Sequence, residues 1–225
     1  MRPAETHVWR AGLDLEGAAL ARLNKTLDPA ERERAARFHF ERDRRRFIAA
    51  RGFLRQLLAG YLEVAPGSVS FAYNANGKPR LSAACQIKDD LRFNVSHSHA
   101  LALFAFTLGR EIGVDVERVK EMEEMEAIAR QTFSAQEHAG WRAAAGAERT
   151  ALFFRLWTRR EAVVKCMGAG LATPGGPEPF GGAMADLAPD AGYAGAVAVE
   201  SGPLDLAPLR SSDLGPIDPA PTRIH

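Results

Sequence analysis

Six consecutive residues, Ile112-Gly-Val-Asp-Val-Glu117, constrain this chain more than any other stretch. Branched apolar residues alternate with a glycine and two acids, the period-2 signature of a strand buried on one face. Ile112, Val114 and Val116 therefore point into a core, while Gly113, Asp115 and Glu117 share the opposite face. Two neighbouring carboxylates repel unless something cationic neutralises them. Mg²⁺ suits such a place, because it takes one or a few carboxylates and completes its shell with water and phosphate oxygens. A solvated polar face paired with a neighbour such as Arg118 is the alternative, and the strand by itself leaves both open.

A second element supplies more charge. From Phe153 to Lys165 the pattern is helical, and Trp157, Glu161 and Lys165 recur four apart, so they lie along one face. Phe153, Leu156, Val163 and Met167 form a separate apolar side for packing. Glu161 is a candidate third acid for the metal, with Lys165 and Arg160 placed to hold phosphate oxygens. An ordinary Glu–Lys pair on a solvated helix explains the same spacing.

Upstream, Arg44 to Leu62 is amphipathic, with Phe47, Leu54, Leu58 and Tyr61 at helical spacing. Nine arginines fall between Arg32 and Arg55, interleaved with Glu33, Glu41 and Asp43. They read as a solvated helix face or as a phosphate-binding edge that includes Arg46. Asn74-Ala-Asn-Gly-Lys-Pro79 is a turn that holds Lys78 rigidly. His97, between Ser96 and Ser98 at a strand end, can donate a ring N–H to a phosphate. His97 and His99 lack any partner at zinc-site spacing, so zinc is excluded.

The organisation follows from these pieces. A first strand is expected around His7 to Ala11, helix from Pro29, and then strands at Phe93–Val95, Leu101–Thr107 and Ile112–Glu117. Leu108-Gly-Arg-Glu111 reads as a hairpin turn between the last two. Helices over Glu121–Arg130 and Leu152–Met167 follow, separated by Phe133-Ser134 and a loop-like Ala/Gly region, with a strand at Tyr193–Glu200. Helix then strands, twice over, makes an α+β chain of two similar halves, 1–108 and 109–225, although no direct sequence repeat is visible. Nine of the thirteen prolines lie beyond Thr173, and from about residue 201 a loosely structured tail is expected. A net charge of +1 argues against nucleic acid or membrane as the main partner. The longest apolar run, Ala100 to Phe106, is too short to cross a bilayer. Met1 to Gly17 has no apolar core of signal-peptide length, and two cysteines make no disulfide framework, so a reducing cytoplasm is expected.

Four motifs occur in order: Gly77-Lys-Pro79, Phe93-Asn-Val-Ser-His-Ser98, Ile112-Gly-Val-Asp-Val-Glu117 and Trp157-Thr-Arg-Arg-Glu-Ala-Val-Val-Lys165. From about Pro29 to Leu171 the chain resembles the 4′-phosphopantetheinyl transferases of the long, surfactin-synthetase-activating type, with Gly192-Tyr193 a weaker echo. The resemblance implies a monomer of two pseudo-symmetric α+β halves, with coenzyme A in the cleft between them. It also implies an apo acyl or peptidyl carrier protein as acceptor. By position, Asp115, Glu117 and Glu161 would hold Mg²⁺ on the pyrophosphate and Lys165 would contact phosphate. Ser96, His97 and Arg46 would gather around the adenosine 3′-phosphate, and Lys78 with Pro79 would line the adenine side. Glu137 falls where the family has a glutamate proposed to deprotonate the incoming serine. Arg160 stands where lysine is usual, Arg34 at a position often held by lysine, and Glu31 puts an acid where a base is common. A Mg²⁺-dependent phosphohydrolase or nuclease and an arginine-rich binding module are the competing readings.

Overall fold

The computed structural model describes residues 1, 5–85, 90–168 and 180–211. The chain enters through β1 (Glu5–Gly12), followed by three helices, α1 (Gly17–Thr26), α2 (Pro29–Ala36) and α3 (Glu41–Leu62). A short ribbon of β2 (Phe71–Tyr73) and β3 (Pro79–Leu81) leads to β4 (Leu91–Ser98) and β5 (Leu101–Leu108). The second series is β6 (Ile112–Arg118), α4 (Met125–Thr132), α5 (Ala135–Ala143), α6 (Gly146–Met167), β7 (Ala183–Leu187) and β8 (Tyr193–Val199). Two short strands, β9 (Asp205–Leu206) and β10 (Arg210–Ser211), close the described chain.

Two sheets result. One has the order β10-β1-β5-β4 with β9 also on β1, and the other has the order β6-β8-β7. Alternation within β5 decides what each sheet touches. Ala102, Phe104 and Phe106 meet Phe53, Leu54 and Leu58 of α3, whereas Leu101, Leu103 and Ala105 meet Ile112, Val114, Val116, Val197 and Val199 of the other sheet. On the far face of that second sheet, Ala196 and Ala198 pack against Ala162, Val163 and Cys166 of α6. The architecture is thus helix, sheet, sheet, helix, an α+β arrangement with two comparable halves.

Four expectations change. Leu108 to Glu111 is not a hairpin, because both edges of β5 are already occupied by β1 and β4, and β6 pairs with β8 instead. The loop-like Ala/Gly region contains α5, whose start is fixed by a reciprocal cap between Ser134 and Glu137. Cys166 is fully buried in the packing face of α6, and Met167 is 52% exposed. Part of the expected tail is ordered into the fold, since Trp9 pairs with Arg210 and Glu5 with Asp205 in parallel register. Residues 169–179 and 212–225, which hold most of the proline-rich segments, lie outside the described residues.

Candidate active site

Gly113, Asp115 and Glu117 face α6, as the alternation requires. A Cβ at Gly113 would collide with the Ala162 carbonyl oxygen and the Cys166 backbone nitrogen, so glycine is what lets the helix sit directly on the strand. That close approach brings Glu161 and Lys165 over the acidic face. Lys165 Nζ donates to Asp115 Oδ1 at 2.5 Å and to Ser96 Oγ at 2.9 Å. Asp115 is 2% exposed, Glu161 9% exposed, and Asp115 Oδ2 is buried with no hydrogen-bond partner.

The charges of the three acids act on one another. Burial pushes the Glu161 carboxyl up, and the charges of Asp115 and Glu117 push it further. Glu117 is raised by burial and by Asp115, against the opposing hydrogen bond from Ser98 and the charge of Lys165. Among the described residues no three acids, histidines or cysteines are gathered closely enough to chelate an ion as they stand. The donor set nevertheless fits a hard divalent cation. Three carboxylates lie near enough to act on one another's charge, Asp115 Oδ2 is buried without a hydrogen-bond partner, and the Lys165 ammonium is paired with Asp115.

β4 orients this cluster from the opposite half. Asn94, Ser96 and Ser98 point towards the edge of β6, where they accept the N–H groups of Val114, Val116 and Arg118. Ser96 Oγ also donates to Asp115 at 2.8 Å, and Ser98 Oγ to Glu117 at 2.7 Å. Ser96 therefore belongs to the acidic cluster, where the resemblance had set it beside a 3′-phosphate. Sequence alternation alone separated it from His97, which lies on the other face of the same strand.

That other face opens on a cavity of about 570 Å³ walled by Arg34, Arg46, Phe47, Tyr73, Gly77, Pro79, His97 and His99, among others. Arg46 is held by Asp14 through a two-pronged ion pair at 2.6 and 3.0 Å. The surrounding protein, with Lys165, lowers the pKa of His97. Pro79 lines this cavity, but the Lys78 ammonium reaches Glu111 Oε2 at 2.7 Å. Arg160 is half-buried on α6, its pKa lowered by that burial, with no hydrogen-bond partner among the described residues. Glu137 sits exposed at the start of α5, where its carboxylate accepts the Ser134 N–H. Its charge acts on Arg159 and Arg160 of α6.

Sequence reasoning missed the roles of Ser98, Asp14 and Glu31. Glu31 replaces a base because it is structural. It accepts from the fully buried Arg55 at 2.6 Å, pairs with Arg51 and closes the cap on α2. The Asp28-x-x-Glu31 spacing was the available signal.

Comparison with known proteins shows the family. The model of the 4′-phosphopantetheinyl transferase superfamily matches residues 111–195, and that of the 4′-phosphopantetheinyl transferase N-terminal region matches residues 16–108. The chain is 42% identical to the 4′-phosphopantetheinyl transferase HetI of Nostoc sp., over 75% of its own length and 70% of the relative's. It is 30% identical to a phosphopantetheinyl transferase of Thraustochytrium sp. (75% of this chain, 63% of the relative). It is 29% identical to 4′-phosphopantetheinyl transferase Sfp of Bacillus subtilis (68% and 65%). The chain thus spans just under two thirds of the last two. Matched across both halves, it belongs to the 4′-phosphopantetheinyl transferase superfamily and is an Sfp-like enzyme of that class.

Proposed function

We propose that this enzyme moves the 4′-phosphopantetheine arm of coenzyme A onto a serine hydroxyl of an apo acyl or peptidyl carrier protein, with Mg²⁺, releasing 3′,5′-ADP. The convergence of Asp115, Glu117, Glu161 and Lys165 next to a cavity walled by Arg46 and His97 carries this reading. The cavity has the size and the cations for a phosphorylated nucleoside, and the acids lie on the far side of the same strand.

Each group then has a task. Arg46 leaves Asp14 and, with His97, takes the 3′-phosphate, while Pro79 and its turn bound the adenine side. Lys165 and Arg160 hold pyrophosphate oxygens and share the charge that grows on the departing ADP. Ser96 and Ser98 keep Asp115 and Glu117 aimed into the cleft. Mg²⁺, held by Asp115, Glu117 and Glu161, would neutralise the pyrophosphate and fix it for in-line attack. Glu137 receives the serine proton as the serine oxygen bonds to the β-phosphorus and the bond to the ADP oxygen breaks. On this reading the halves divide at 108/109, the first contributing the nucleotide contacts and the second the metal and the catalytic helix.

The test is incubation with coenzyme A, Mg²⁺ and a panel of purified apo carriers, followed by intact mass. One phosphopantetheine per carrier, on serine, is expected. No added mass on any of several carriers, or release of 3′,5′-ADP without a carrier, would overturn the proposal.

A further inference from the structure

The turn that walls the nucleotide cavity also caps the helix that carries Glu161 and Lys165. Gly77 and Pro79 line the large cavity, whereas Lys78 between them does not and instead lines, with Pro79, a second cavity of about 320 Å³. Its ammonium, 15% exposed, donates to Glu111 Oε2 at 2.7 Å, to the Ile112 carbonyl at 3.2 Å and to the Cys166 carbonyl at 3.4 Å. Glu111 is fixed from its other oxygen by Arg92 at 2.7 Å. Two residues earlier in the turn, Asn76 Nδ2 donates to the Gly168 carbonyl at 2.8 Å.

Cys166 and Gly168 belong to the last turn and cap of α6, where helical carbonyls have no partner in the helix itself. A cation is favoured there by the helix dipole as well. The partners come from the other half of the molecule, and they end one turn from Lys165. The geometry points to Lys78 as a positioning residue: it fastens the wall of the nucleotide cavity to the C-terminal end of α6 and so sets Glu161 and Lys165 over the acidic strand. This inference rests on the proposed reaction. A cationic side chain that contacted adenine would have to face the larger cavity, and this one does not.

The experiment uses the full chain with Lys78→Met, Lys78→Arg, Glu111→Gln and the Lys78→Met/Glu111→Gln double variant. In Lys78→Met, kcat is expected to fall about tenfold to a hundredfold, the cost of a misplaced catalytic group. The Kd for 3′,5′-ADP by calorimetry should stay within about twofold of wild type, because the cavity wall itself is untouched. Lys78→Arg should recover most of kcat, Glu111→Gln should reproduce Lys78→Met, and the double variant should be no worse than either. Amide exchange at residues 165–168 should quicken in Lys78→Met, which reads the clamp without any turnover. Should Lys78→Met fold poorly, Asn76→Ala, altered at an exposed side chain, should show the same exchange change in milder form. A rise in the 3′,5′-ADP Kd that matches the loss in kcat/KM would make Lys78 a nucleotide contact and overturn the inference, as would unchanged kcat and exchange. If wild type transfers nothing, the proposed reaction falls, whereas the exchange result still decides the clamp.

Discussion

Helices α3 and α6 each run 22 residues, and each covers one of the two sheets. Their handling of charge differs. On α3 the arginines are answered nearby: Arg42 by Asp43, Arg44 and Arg45 by Glu41, Arg46 by Asp14, Arg51 by Glu31, and the buried Arg55 by Glu31 and Asp28. On α6, Arg159 is answered by Asp186, but Glu161 and Arg160 have no hydrogen-bond partner among the described residues. Lys165 leans across to the other acids. Unanswered ionisable groups in a partly dry space cost stability, and under the proposed function the ligand supplies the missing charge. One helix is a strut with charges closed in the resting protein; the other is a strut with charges left open towards the cleft.

The largest test of that contrast is Asp115→Ala. Transfer should fall roughly 10³-fold, the scale for removing a preorganised electrostatic group, with near-ultraviolet circular dichroism unchanged. Normal activity would remove the acidic cluster from the chemistry. Next in size is Glu31→Ala, which takes from the buried Arg55 one of its two carboxylates and from Arg51 its partner, and should cost about 3–5 kcal/mol in denaturant unfolding. Turnover by the folded fraction should stay near wild type; a selective loss of turnover would blur the two helices together.

A pair of glycine substitutions sharpens the comparison further. Gly113→Ala drives a methyl into the backbone of α6, and about 1–3 kcal/mol of stability should go with roughly 10²-fold in kcat. Gly52→Ala on α3 places its Cβ 2.6 Å from that of Leu23 and should destabilise similarly while sparing kcat. Equal losses of kcat in both would break the distinction. The smallest effect is expected for His97→Ala, about tenfold weaker binding of coenzyme A with little change for its 3′-dephospho form, by calorimetry. Equal weakening of both ligands would take His97 off the 3′-phosphate.

Much of this was legible in the residues. The period-2 pattern of Ile112–Glu117 gave the buried and acidic faces, and four-residue spacing gave the stripe through Glu161 and Lys165. What escaped was set by neighbours at long range. No local pattern says that β5 has both edges filled, so the hairpin at Leu108–Glu111 was a fair local reading of a between-sheet crossing. Ser96 and Lys78 were found as residues and misplaced as directions. The first is drawn to Asp115 and the second to Glu111, partners 19 and 33 positions further on. α5 was missed because alanine and glycine dominate its surroundings, although its Ser134–Glu137 cap was readable.

The pairing of β1 with β9 and β10 bears on how the molecule comes into being. Trp9 waits for Arg210, so the outer border of the first sheet stays open through most of translation. A nascent chain that has made β1, β4 and β5 still exposes an unpaired strand flank, the kind of border that invites pairing with a foreign chain. Its first sheet reaches full width only after the second half has been spun out, and this ties completion of the first half to synthesis of the other.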